Sequence, residues 1–226
     1  MKENKKMVNY FKKWEGSGTL GIGMLAAGFL FLWLGMSMFS YFLAVFLFAA
    51  GLAVFLYGNI GRANATQIND TIKNQIESVR FPELEEDSKL RKRTPKEYKT
   101  LEFQAFDMHD GVYIKRKKDA SLISSEYTYA KVAILSDAFY IKKIKFSMVS
   151  DEKSAETFDI PFSSISDITI ERDAFTITSA DKKTYPVKTC HMVIIYGDGQ
   201  NLLLPKQDDA FVEDFANDLK RKYIDK

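Results

Sequence analysis

The chain has 226 residues, 46% of them apolar, with 32 Lys and Arg against 30 Asp and Glu for a net charge of +2. That balance excludes the strongly basic footprint of a nucleic-acid-binding domain. One cysteine, Cys190, excludes an internal disulfide and suits a reducing compartment.

The apolar residues are segregated, because no Asp, Glu, Lys or Arg stands between Glu15 and Arg62. A basic tail, residues 1–18, comes first. From Thr19 to Phe39 the run "TLGIGMLAAGFLFLWLGMSMF" is long enough to cross a hydrocarbon core of about 30 Å. It is too long for the apolar region of a secretory signal peptide, about 7 to 15 residues. A break is expected around Ser40, and a second crossing from Tyr41 to Gly58, flanked by Tyr41 and Tyr57 as interfacial anchors. Lys2, Lys5, Lys6, Lys12 and Lys13 precede the hairpin, Arg62, Lys73 and Arg80 follow it, and its turn carries no charge. The positive charge therefore predicts both termini in the cytosol. Gly23 with Ala27 and Ala49 with Ala53 lie four apart, a spacing that lets helix backbones approach. Neither span holds an ionisable side chain, so the hairpin reads as an anchor and not as an ion pathway.

In the next segment, residues 59–100, Ile68, Ile72, Ile76 and Val79 recur at helical steps and predict an amphipathic helix ending before Pro82. Its apolar stripe must lie on the membrane interface, on the soluble part or on a second copy. The stretch "PELEEDSKLRKRTPKEYK", Pro82 to Lys99, is dense in both charges and reads as a solvated linker.

From Leu101 the pattern changes to alternation, and residues 101–226 read as one antiparallel β-rich domain. Strands are expected at roughly Gly111–Lys117, Glu126–Leu135, Ala138–Met148, Thr157–Phe162, Asp167–Glu171, Ala174–Thr178, Lys188–Tyr196 and Gln200–Leu204. One helix is expected from near Lys206, with Phe211, Phe215, Leu219 and Tyr223 on its buried face. Acidic residues Asp208, Asp209, Glu213 and Asp214 stand toward its start and Lys220, Arg221 and Lys222 toward its end, complementing the helix dipole.

The pairs "KVAILSDAFYIKK" and "IPFSSISDITIER", followed by "LLLPKQDDAFVEDFANDL" as last strand and capping helix, resemble the bacterial pleckstrin-homology-like and GRAM-like domains over about Glu126 to Tyr223. The resemblance implies an antiparallel β-barrel or sandwich capped by one C-terminal helix, often attached to transmembrane helices. Phosphoinositide-binding members place basic residues around the loop of the first strand pair. Here that loop is only Ser136 and Asp137, short and acidic, so the turn reads as serving the fold.

Lys115, Arg116, Lys117 and Lys118, with Lys142, Lys143 and Lys145 on the strand after that turn, are the candidate contacts for an anionic surface; the first run equally suits protection of a sheet edge. His109 and His191 lack zinc-ligand spacing, and adjacent Cys190 and His191 point to opposite faces of a strand. No catalytic motif, metal site or cofactor site is expected. The expectation is a noncatalytic bacterial cytoplasmic-membrane protein of two spans, whose cytosolic domain binds a protein partner or the membrane surface, with nonspecific attraction to anionic lipid and no nucleic acid. The alternative is an accessory subunit of a larger membrane complex such as a transporter.

Overall fold

The computed structural model describes residues 4–12, 17–34, 38–117, 119–206 and 210–225. It divides into two compact units, Asn4–Ala65 and, in the main, Thr66–Lys226.

The first unit holds α1 (Lys5–Lys12), α2 (Ser17–Leu34) and α3 (Met38–Asn59). The basic tail is not featureless. Helix α1 buries Val8, Tyr10 and Phe11, and Asn9 Nδ2 donates to the Gly61 carbonyl at 2.8 Å while Arg62 stands 5.6 Å from the Tyr10 ring centre. Gly61 has φ +68°, which glycine adopts without strain.

Helices α2 and α3 have mean hydropathies of 1.7 and 2.3 over spans of 18 and 21 residues, long and apolar enough to cross a membrane. Their large apolar side chains point outward, Trp33 being 83% exposed. Ser40 lies inside α3 and does not break the hairpin. The helices meet at small residues spaced by seven, Gly21 and Gly28 on α2 against Ala44, Gly51 and Gly58 on α3, and all five are buried. A Cβ at Gly21 would lie 2.6 Å from the Phe55 nitrogen, and one at Gly51 would lie 2.9 Å from the Gly21 carbonyl oxygen. The four-residue pairs expected from the sequence are displaced: Gly23 has open space where its Cβ would stand, and Ala49 and Ala53 are exposed. Two nearly antiparallel helices repeat their contacts every seven residues, so the seam follows that period and not four.

The second unit opens on α4 (Ala65–Glu77), which buries Ile68, while Lys153 Nζ donates to Gln75 Oε1 at 2.8 Å. The charged stretch after it is not a solvated linker. It forms α5 (Glu83–Glu86) and α6 (Ser88–Arg93), with the Asp87 carboxylate capping α6 by accepting from the amides of Lys89 and Leu90. Phe81 and Leu84 are buried together with Ala133, Leu135 and Tyr140, and Leu90 and Tyr98 pack against them. Two leucines and two aromatics placed on one side suffice to dock a stretch whose remaining side chains are charged.

Nine strands follow among the described residues: β1 (Thr100–Phe106), β2 (Ile114–Arg116), β3 (Leu122–Ser124), β4 (Glu126–Ile134), β5 (Ala138–Ser147), β6 (Lys153–Pro161), β7 (Ile165–Thr178), β8 (Thr184–Tyr196) and β9 (Gln200–Pro205). They pair antiparallel in three sheets, β1-β4-β5-β6, β2-β3 and β7-β8-β9. These ladders remain open, so a closed barrel is not formed among the described residues. Strands β1 and β3 were not expected. The two strands expected at Asp167–Glu171 and Ala174–Thr178 are one, β7, whose residues 171–176 are exposed at a sheet edge, where polar Arg172 and Asp173 do not interrupt pairing.

One core joins the four-stranded and three-stranded sheets: Phe103, Val132, Phe139, Ile141 and Ile160 from the first, Ile168, Met192, Ile194, Leu202 and Leu204 from the second. Helix α7 (Val212–Tyr223) adds Ala216 and Leu219, with Phe215 and Tyr223 partly buried beside them. Phe211 does not join the stripe. It precedes the helix as its N-cap and is 73% exposed. Asp208 and Asp209 lie outside the described residues.

Candidate functional site

The Ser136–Asp137 turn closes tightly, with the Leu135 amide donating to the Ala138 carbonyl at 2.9 Å. It also holds the connector. Arg93 Nε donates to both Asp137 carboxylate oxygens at 2.8 and 3.0 Å, and its two terminal nitrogens donate to Asp159 at 2.6 and 3.0 Å. The Arg93 carbonyl in turn accepts from the Ser136 amide and hydroxyl at 2.9 and 3.0 Å. The two carboxylates raise the pKa of Arg93 above its ordinary value. The acidity of this turn therefore serves an internal arginine.

The candidate basic residues do not form one surface. Lys115 on β2 is 6% exposed, so it does not stand where an anionic surface could meet it, while Arg116 and Lys117 are exposed and Lys118 lies outside the described residues. Lys142 is committed to the connector, donating to the Arg80 carbonyl at 2.8 Å and to Glu83 Oε1 at 2.7 Å. Burial pushes the Glu83 carboxyl up, but the bond from Lys142 outweighs it together with the backbone contact, and the net shift is downward. Lys143 and Lys145, two residues apart on one face of β5, enter a different region.

That region is a cleft of about 1000 Å³, lined by the end of β1, the β2-β3 hairpin, β4, β5, the middle of β7 and β8 and the end of β9. Lys143 Nζ donates to the Leu203 carbonyl at 3.1 Å, and Lys206 stands 4.9 Å from the Phe215 ring centre. Lys143, Lys188 and Lys206 have no carboxylate in ion-pair contact among the described residues. His191 Nδ1 and Thr189 Oγ1, both on cleft-lining residues, are buried atoms without a hydrogen-bond partner among the described residues. Burial holds the His191 imidazole below its ordinary value against the opposing pull of Asp173, Glu171 and Asp107. Cys190 is buried beside it.

At one side of the cleft Asp107, His109 and Glu126 gather, with candidate ligand atoms all within 4.8 Å of one another. No local spacing announces this triad, because the end of β1 and the start of β4 bring together residues separated by up to 19 positions without zinc-type spacing. Lys145 Nζ already lies among them, 2.8 Å from Asp107 Oδ2, 3.1 Å from Glu126 Oε2 and 3.4 Å from His109 Nε2. His109 Nδ1 is 2.8 Å from the Asp110 carbonyl and Nε2 is 3.0 Å from Glu126. Both neighbours are acceptors, so the doubly protonated ring satisfies both. Burial lowers the His109 pKa, but these two bonds outweigh it and the net shift is upward. A metal ion would have to displace the ammonium and take the proton from Nε2. The arrangement is an internally neutralised ion network.

No protein-family model, curated protein or solved structure matches the chain.

Proposed function

We propose that this chain is a noncatalytic binding module tethered to the bacterial cytoplasmic membrane. The hairpin α2–α3 crosses the bilayer, both termini face the cytosol, and the β-rich unit, of pleckstrin-homology-like organisation, binds a protein partner or the membrane surface. The observation that carries the reading is the contrast in burial: α2 and α3 turn their Phe, Leu and Trp side chains outward, while the second unit encloses an apolar core of its own. Exposed apolar faces of this extent are stable in lipid, not in water. The positive residues flanking an uncharged hairpin turn support the orientation.

The noncatalytic assignment is supported by the site chemistry. Lys145, Asp107, Glu126 and His109 satisfy one another, which leaves no free nucleophile or base in that cluster. A second reading, an accessory subunit of a larger membrane complex, is favoured by the small residues Gly23, Ala49 and Ala53 on outward faces, where a foreign helix can approach closely. Copurification from native membranes in mild detergent separates the two: a stoichiometric integral-membrane partner favours the second reading, and its absence favours the first.

A further inference from the structure

We infer that the cleft between β1, the β2-β3 hairpin, β5 and β8 is a binding site for a single-chain amphiphilic anion, an alkyl or acyl chain ending in one carboxylate or phosphate. This rests on the reading of the chain as a binding module and deepens it by naming what the module binds.

The volume, about 1000 Å³, is at the upper end of small-molecule sites. Two kinds of wall line it. Phe106, Met108, Leu122, Ile123, Phe175 and Leu203 offer apolar surface suited to a hydrocarbon chain. Lys143, Lys188 and Lys206 offer ammonium groups.

The charges do not cancel within the cleft. Asp107 is occupied by Lys145, and Thr128 Oγ1 donates to it at 3.4 Å. Among the described residues Lys143, by contrast, reaches a neutral carbonyl and Lys206 a ring, and neither meets a carboxylate. Asp173 also lines the cleft, so two carboxylates stand against five lysines there, and the surplus of ammonium groups favours an anion whose oxygens accept charge-assisted hydrogen bonds from them. Thr189 Oγ1 and His191 Nδ1, on residues that line the cleft, are buried atoms with no hydrogen-bond partner among the described residues; they sit behind the cleft wall, so a headgroup oxygen reaches them only once neighbouring side chains move aside. An inorganic anion would leave the apolar wall uncovered, and a neutral chain would leave the lysines without a counter-charge. An amphiphile with one charged end meets both.

The test uses the full chain in nanodiscs of zwitterionic phosphatidylcholine, titrated calorimetrically with octanoate, octyl phosphate, octanol and inorganic phosphate, the heats of empty nanodiscs being subtracted. Saturable one-site binding is expected for octanoate and octyl phosphate, with octanol and inorganic phosphate weaker by about tenfold or more. Replacing the lysines, Lys143→Met with Lys188→Met and Lys206→Met, should weaken octanoate by about tenfold or more, since each lost charge-assisted bond carries a substantial part of the affinity. Ala105→Trp, which places a bulky ring in the cleft, should abolish binding. Should the triple variant fail to fold, exposed Lys188→Met alone must still weaken octanoate measurably. Equal affinity for octanol, equal affinity for inorganic phosphate, indifference to both substitutions, or no heat beyond empty nanodiscs would each overturn the proposal. Membrane orientation is measured separately, so a failure here leaves the tethered topology standing, and a failed topology leaves this binding result standing.

Discussion

The two units hold themselves together by opposite means. In the hairpin, the contact surface is made mainly where side chains are missing: Gly21, Gly28, Ala44, Gly51 and Gly58 bring two backbones together, Phe29 and Phe48 meet beside them with ring centres 4.8 Å apart, and most other bulky residues face away. In the β-rich unit, contact is made where side chains are largest, with Phe103, Phe139, Ile141 and Met192 filling the space between two sheets. The difference is the one expected if the hairpin lies in lipid, as proposed, and the β-rich unit in water. Water drives large apolar groups inward, whereas lipid gives no such drive and leaves close backbone approach as the main source of helix packing.

The sharpest test of that contrast is truncation in the β-rich core. Phe139 is fully enclosed, with Phe162 and Tyr223 rings at 4.9 and 5.5 Å, so Phe139→Ala should cost about 3–5 kcal/mol in urea denaturation. Phe215, only partly buried beside Phe103, should cost less than Phe139. If the two substitutions cost the same, the helix face is packed as tightly as the sheet core and the burial pattern is misread.

In the hairpin the effect should reverse, with enlargement doing the damage. Gly21→Leu drives a side chain into the Phe55 backbone and should cost about 1–3 kcal/mol by overpacking, read as a lower melting temperature in mild detergent. Gly23→Leu, two positions along, meets nothing and should leave melting unchanged. Equal loss from both would mean that the seam lies elsewhere.

The connector sharpens the comparison, since it is a charged segment packed by the rules of the β-rich unit. Arg93→Met removes its bonds to Asp137 and Asp159. These groups are partly exposed, with side chains 26%, 57% and 39% accessible, so screening reduces the cost to about 1 kcal/mol. Faster amide exchange confined to α5 and α6 is the expected signature. Unchanged exchange there would show that Phe81 and Leu84 hold the connector unaided.

The smallest effect concerns His109. Its pKa is raised in the folded chain, so its stabilising contribution is fully present below the ordinary imidazole value near 6.5 and is lost as pH rises through the folded value. His109→Gln should therefore lower the melting temperature more at pH 6 than at pH 8. A difference that is constant across this range would remove the ring from the ion network.

How much of this was legible in the sequence depended on whether neighbours along the chain carried the signal. The two apolar runs, the alternation in β4 and β5 and the stripe at Phe215, Leu219 and Tyr223 are local patterns that place these elements, although α7 starts at Val212 and not near Lys206, because the stripe marks the helix body and not its first turn. The connector reads as a linker because Phe81, Leu84 and Leu90 are few among many charges, and their partners Ala133 and Tyr140, some fifty residues away, make them a core. Strand β1 escaped for a similar reason, since its pairing with β4 supplies regularity that "TLEFQAF" only partly displays. The cleft was visible only as the lysines of β5. Sequence alternation put Lys143 and Lys145 on one face, but it did not tell that Lys145 would be neutralised by Asp107 and Glu126 while Lys143 would not.

The proposed topology, a hairpin in the membrane carrying a folded unit on the cytosolic side, is tested by protease accessibility in membrane vesicles of both orientations after alkaline carbonate washing. The chain is expected to stay with the membrane, and protease to remove the Thr66–Lys226 unit in inverted vesicles but leave it intact in right-side-out ones. Release by carbonate, or cleavage of that unit only in right-side-out vesicles, would contradict it.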